Sequence, residues 1–210
     1  MNDVKTKAIE AFKAHFNTEP TMLSYAPGRV NIIGEHTDYN DGFVMPCAIK
    51  FGTAIAARKN GTDKMRVFAA DVNGDSDEFT VTVDMDKHPD KLWSNYLRGV
   101  TMLIAKKGYK FEGLDLAICG DVPLGAGLSS SASLEVSFGN LISCAFGLNI
   151  DLQDIALIGQ AAEAFIGCKC GIMDQTISAC GKKDCALLID CRSLEKTQVH
   201  IPEELEILIV

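Results

Sequence analysis

Long hydrophobic runs are missing from this sequence. No stretch approaches the roughly 18 to 20 apolar residues that span a bilayer, and Met1-Asn2-Asp3-Val4-Lys5 is not followed by the uninterrupted apolar core of a secretory signal. The expectation is a soluble, cytoplasmic protein with no membrane partner. Positive charge is scarce too: 20 Lys and Arg stand against 28 Asp and Glu, for a net charge of −8 and a pI near 5.0. An electrostatic grip on nucleic acid or anionic lipid needs a basic surface, so a small-molecule partner is favoured over either. Internal repeats, low-complexity tracts and clear domain linkers are also absent. Cysteine is not scarce, at eight residues, but without a secretory signal or a small disulfide scaffold these read as reduced thiols. Cys168 and Cys170 lack a second, suitably spaced pair, which favours buried thiols over a zinc site.

A hydrophobic content of 47% over 210 residues is enough for a substantial core. Val4, Ala8, Phe12 and Phe16, with Ile9 beside them, predict an amphipathic first helix that Asn17 to Pro20 ends. Strands are expected at 22–26, 43–49, 53–58, 64–70 and 78–83, followed by a polar connection over 84–90. Trp93, Tyr96, Leu97, Val100 and Ile104 fall on one face of a helix that Gly108 can close. A strand at 114–118 leads to a further helix beginning near Leu134. Asp151 and Asp154 mark the start of another helix, and 185–190 reads as a strand. The architecture expected is α+β: a mixed, antiparallel-rich sheet with helices packed on it. The sequence stops inside the apolar run Glu206-Ile207-Leu208-Ile209-Val210, which suggests a truncated chain.

Three stretches carry the chemistry. Gly125-Ala126-Gly127-Leu128-Ser129-Ser130-Ser131-Ala132-Ser133 lies between a strand and a helix. Glycines permit close backbone approach, and a helix N-terminus with flanking hydroxyls suits phosphate. The loop lacks the Lys-Ser/Thr ending of a Walker A motif and departs from the dinucleotide fingerprint, so a plain capped turn remains the other reading. Gly28 to Gly42 is dense in polar groups around an apolar pair. Its Glu35, His36 and Asp38 suit the hydroxyls of a sugar, although singly they also read as a surface charge, a core histidine and a turn residue. In Gly171-Ile172-Met173-Asp174-Gln175, an aspartate between apolar neighbours needs a partner or a task.

Taken together and in this order, the stretches are similar to a known family. Residues 28–39 closely resemble the galactokinase signature. Residues 123–132 resemble the ATP-binding motif of the superfamily of galactokinase, homoserine, mevalonate and phosphomevalonate kinases (GHMP kinases), and residues 171–175 resemble the segment holding its catalytic aspartate. The resemblance extends over the whole chain as an N-terminal domain. It implies a fold like domain 2 of ribosomal protein S5 with a left-handed β-α-β crossover, and a missing C-terminal domain that would bring a tyrosine and a glycine-rich motif. It further implies ATP-dependent phosphorylation of the C1 hydroxyl of galactose, in galactose metabolism. Asp174 would be the base and Arg29 its charged partner. Glu35, His36, Thr37, Asp38 and Gly171 would form the sugar site. Gly125, Ala126, Gly127, Leu128, Ser129, Ser130 and Ser131 would wrap the phosphates, Ser131 and Glu163 would hold Mg²⁺, and Trp93 would sit either in the adenine pocket or on the core face of its helix. An N-acetylgalactosamine kinase shares these motifs; a non-catalytic sugar- and ATP-sensing relative, the other alternative, loses residues around the serine-rich loop or the base, whereas Ser129 to Ser133, Arg29 and Asp174 are all here. A 210-residue fragment of such an enzyme is expected to have little or no activity alone.

Overall fold

Apolar residues alternating along one long strand organise the molecule. In the computed structural model, which describes residues 3–123 and 125–208, strand β2 runs unbroken over Phe43–Lys59. Its Ala54 and Ala56 bury on one face against helix α1 (Val4–Phe16), with Ala117 and Cys119 of β5 (Leu114–Gly120) alongside. Ile55 and Ala57, one step out of phase, bury on the other face under helices α2 (Leu92–Lys106), α3 (Ser130–Phe146) and α4 (Leu152–Ile166). The two-residue period of a strand thus sorts one stretch of sequence into two apolar layers.

The sheet order is β4-β3-β5-β2-β6-β7, with β1 (Met22–Ile33) on the free flank of β2. The remaining strands are β3 (Lys64–Ala69), β4 (Asp75–Thr80), β6 (Cys185–Asp190) and β7 (Lys196–His200). All pairings are antiparallel except β3 with β5, which are parallel and separated in the chain by β4 and α2. This is the mixed, antiparallel-rich sheet with packed helices that the sequence led us to expect. β5 and β6 share one flank of β2, pairing with its later and earlier residues respectively. That division brings the loop after β5 and the helix before β6, α5 (Met173–Cys180), towards the same region.

Several boundaries differ from the sequence reading. The expected strands 43–49 and 53–58 are one, because Gly52 pairs with Pro27 of β1 instead of breaking the ladder. β1 does not stop at Ala26 but continues to Ile33, with register shifts at Gly28 and Ile32 that absorb the extra residues. β4 begins three residues earlier than expected, and α5 and β7 were not anticipated. Within the final apolar run, Glu206, Ile207 and Leu208 lie in no strand, and Leu208 is 86% exposed. Leu124 of the phosphate motif and Ile209 and Val210 of that run lie outside the described residues. Among the described residues, no helix is long and apolar enough to cross a membrane.

Candidate active site

The register shift at Gly28 brings β1 against the glycine-rich loop. Arg29 N donates to Leu128 O at 3.1 Å, and a side chain at Gly28 would put its Cβ 2.6 Å from that same carbonyl. No residue but glycine lets the two backbones meet so closely. The Arg29 side chain then reaches α5, where Nε donates to Asp174 Oδ1 and Nη2 to Oδ2, both at 2.7 Å. This is the two-pronged geometry in which a planar guanidinium orients as well as neutralises a carboxylate. Arg29 Nη1 donates to Gly127 O, and Ser129 Oγ donates to Asp174 Oδ2. Arginine, aspartate and glycine-rich loop are therefore one hydrogen-bonded unit. The pair is shielded but reachable, with side chains 13% and 27% exposed.

Helix α5 is held in place from behind. Ser178 Oγ donates to Pro27 O at 2.7 Å, and Gln175 Nε2 donates to the buried Glu135 Oε2 at 3.0 Å. Neither Glu135 nor Ser178 was singled out from sequence. Glu135 had a usable signal, since it is a lone acid in a helix whose neighbours Leu134, Val136 and Phe138 are apolar. Burial, with the charge of Glu163 added to it, pushes its carboxyl well above the usual value. Its Oε1 has no partner among the described residues.

Residues 34–42 fold into turns beside this unit. Asp38 begins a short 3-10 turn (Asp38–Asn40) and packs on Gly171, where any Cβ would collide with its carboxylate. Burial first, and then the charge of Asp174, raise the Asp38 carboxyl above its usual value. Asp38, Gly171, Asp174 and Arg29 are thus gathered together. Glu35 and His36 are exposed on the rim. Glu35 accepts from Asn31 Nδ2 at 2.8 Å, and His36, at a φ of 61°, pairs with the Tyr39 hydroxyl. Thr37 is turned inward, its hydroxyl 2.7 Å from the carbonyls of both Gly34 and Phe43.

On the other side of the loop, Gly125, Ala126 and Gly127 are exposed, Leu128 is buried, and Ser130 and Ser131 open α3. The first N–H groups of a helix have no partner inside it, and here no side chain caps them. They border a cleft of about 530 Å³ lined by Ser130, Ser131, Leu134, Thr53, Tyr96 and Trp93. Trp93 therefore faces the cleft, anchored by Nε1 donating to Asp75 Oδ2 at 3.1 Å. It also packs against the main apolar core.

A galactokinase galactose-binding signature matches residues 10–59, and the N-terminal domain model of GHMP kinases matches residues 95–182. Among solved structures, galactokinase of Lactococcus lactis complexed with galactose is 34% identical with a TM-score of 0.84; the match covers 92% of this chain and 51% of that one. The chain carries a GHMP kinase N-terminal domain. It spans about half the length of that solved relative. Mevalonate kinase of Methanococcus jannaschii (18% identity, TM-score 0.70, 85% of this chain and 55% of that one) and phosphomevalonate kinase of Streptococcus pneumoniae (15%, 0.61, 83% and 50%) share the fold.

One feature of this GHMP domain departs from the sequence reading. Cys168 is exposed and Cys170 partly so, rather than buried, because both follow the helix-ending Gly167 in a loop. Burial followed by the charges of Glu163 and Glu135 pushes Cys170 up to about 12, and Cys168 is raised as well. Glu163 is buried on α4, and no hydrogen bond joins it to Ser131. Among the described residues, no group of three or more His, Cys, Asp or Glu is arranged to hold a metal.

Proposed function

We propose that this chain forms the sugar- and phosphate-binding half of a galactokinase, an enzyme transferring the γ-phosphoryl group of ATP to the C1 hydroxyl of galactose. The observation that carries the reading is Asp174, held by both prongs of Arg29, tied to the glycine-rich loop through Ser129 and near enough to Asp38 for their charges to interact. Phosphoryl transfer asks for an in-line acceptor, a proton acceptor beside it and positive potential around the moving group. Asp174 would receive the C1 hydroxyl proton, and Arg29 would hold that carboxylate and balance developing negative charge. Asp38, Glu35 and His36 would accept from and donate to the other sugar hydroxyls, with Thr37 and Gly171 shaping the turn beneath them. The backbone of residues 125–131 and the bare start of α3 would take the phosphates, with the base lying along Trp93.

Mg²⁺ would neutralise charge on the phosphate oxygens. Ser131 and Glu163 suit it as a two-oxygen set, since this ion is commonly held by one or two carboxylates together with water and substrate phosphates. The orphaned Oε1 of buried Glu135, whose neighbouring charges are Glu163 and Asp174, supports a cation there. The rest of the cleft would come from a second domain outside these 210 residues, so the chain alone should turn galactose over poorly.

The test is release of ADP by the full-length enzyme with galactose, N-acetylgalactosamine and glucose. Turnover with galactose in preference to the others is expected. Turnover confined to N-acetylgalactosamine would reassign the sugar, and sugar binding without any turnover would favour a sensor.

A further inference from the structure

Serine is one of the best helix N-caps because, from an extended backbone, its side chain accepts from the second or third N–H of the helix. Ser129 sits at the N-cap of α3 and does neither. Its backbone is left-handed, at φ 61° and ψ 54°, and its side chain makes no capping bond. A left-handed conformation is unfavourable for serine, as for most residues with a side chain, so two sources of stability are absent at one position. In their place is a single hydrogen bond to Asp174 Oδ2, across 45 residues of sequence.

Resting on the function proposed above, we propose that Ser129 is a positioning residue for Asp174, fixing how that carboxylate is turned towards the sugar. An ionised carboxylate has about four accepting positions. Arg29 Nε donates to Oδ1, Arg29 Nη2 donates to Oδ2 and lies 2.7 Å from Oδ1 as well, and Ser129 takes a further position on Oδ2. In the transfer step the C1 O–H proton passes to the Asp174 carboxylate as the new O–P bond forms, and ADP leaves with the electron pair of the broken P–O bond. Ser129 belongs to the loop that would wrap the phosphates, and Arg29 also grips that loop at Gly127. The position of the phosphate loop and the aim of the carboxylate are therefore set together.

The test is steady-state kinetics of the full-length enzyme carrying Ser129→Gly. Glycine is at ease at positive φ, so the loop keeps its path and only the hydroxyl is removed. The expected result is a fall in kcat of about 10- to 100-fold, the worth of one hydrogen bond to a charged group. KM for galactose and for MgATP should stay within about twofold, and the melting temperature should not fall. Ser129→Asn, which tolerates the left-handed region and brings a new N–H donor, should recover part of the lost kcat. An unchanged kcat, or a raised KM for MgATP with kcat intact, would overturn the proposal while leaving galactose phosphorylation standing. Absence of galactose turnover in the unaltered enzyme would overturn both.

Discussion

Helices α3 and α4 start on opposite plans. At α4, Asp151 is extended and its Oδ1 accepts from Gln153 N at 2.7 Å, with Asp154 adding negative charge to the first turn. The start of that helix is satisfied by its own residues. At α3, the N-cap residue is left-handed, its side chain is directed to Asp174, and the first turn has no acid. The positive end of the helix dipole is left uncompensated beside the Trp93 cleft. Serine and aspartate are both strong N-caps, so composition alone gives the two starts equal standing. The start of α4 is satisfied by its own residues, and that of α3 is the open anion site that the proposed function asks for.

The comparison can be broken most forcefully at the carboxylate to which α3 is tied. Asp174→Asn in the full-length enzyme is expected to lower kcat for galactose by about 10²- to 10⁴-fold, as loss of a general base does; a rate within tenfold of the unaltered enzyme would speak against its role. A carboxylate placed at the open helix start should separate stability from binding. Ser130→Asp is expected to raise unfolding stability by about 0.3–1 kcal/mol through the dipole. It should also weaken ATP binding by roughly tenfold or more, because two negative charges would then meet at close range. Denaturant melts and calorimetric titration check the two halves separately. At α4, Asp151→Ala should cost about 1 kcal/mol of stability and leave galactose turnover unaltered.

The smallest effect concerns Asp38. Its carboxyl is raised by burial and by the charge of Asp174, so folding favours its protonated form. The stability it contributes is full below the ordinary value of 3.8 and is lost as pH rises through the raised folded value. Asp38→Asn is therefore expected to raise the melting temperature more at pH 7 than at pH 4, while weakening galactose binding. An equal shift at both pH values would show that the carboxyl is not perturbed.

Legibility followed sequence distance. Helix α1 could be read because its apolar residues recur on one face, and Val4, Ala8 and Phe12 are indeed its buried ones. The eight-residue α5 could not: Ile172 at its N-cap offers no capping group, and its burial is decided by β1 and α3, far away in sequence. β7 was hidden because Lys196-Thr197-Gln198-Val199-His200 is a largely polar edge strand with little apolar alternation. β2 was read as two strands because Gly52 resembles a breaker until Pro27 is seen to pair with it. In the site, the motifs marked Arg29, Asp38 and Asp174, but nothing local marked which atoms would meet. The Ser129 bond to Asp174 and the Asp38 contact with Gly171 depend on segments that only the fold brings together.

The central claim, that the start of α3 is an open phosphate site and that of α4 is not, is tested most directly by following backbone amide resonances of this chain during titration with ATP and Mg²⁺. Saturable shifts are expected at Gly125 to Ala132, with those of Leu152 to Asp154 unmoved. Shifts absent at α3, or equal at the two helix starts, would contradict the account.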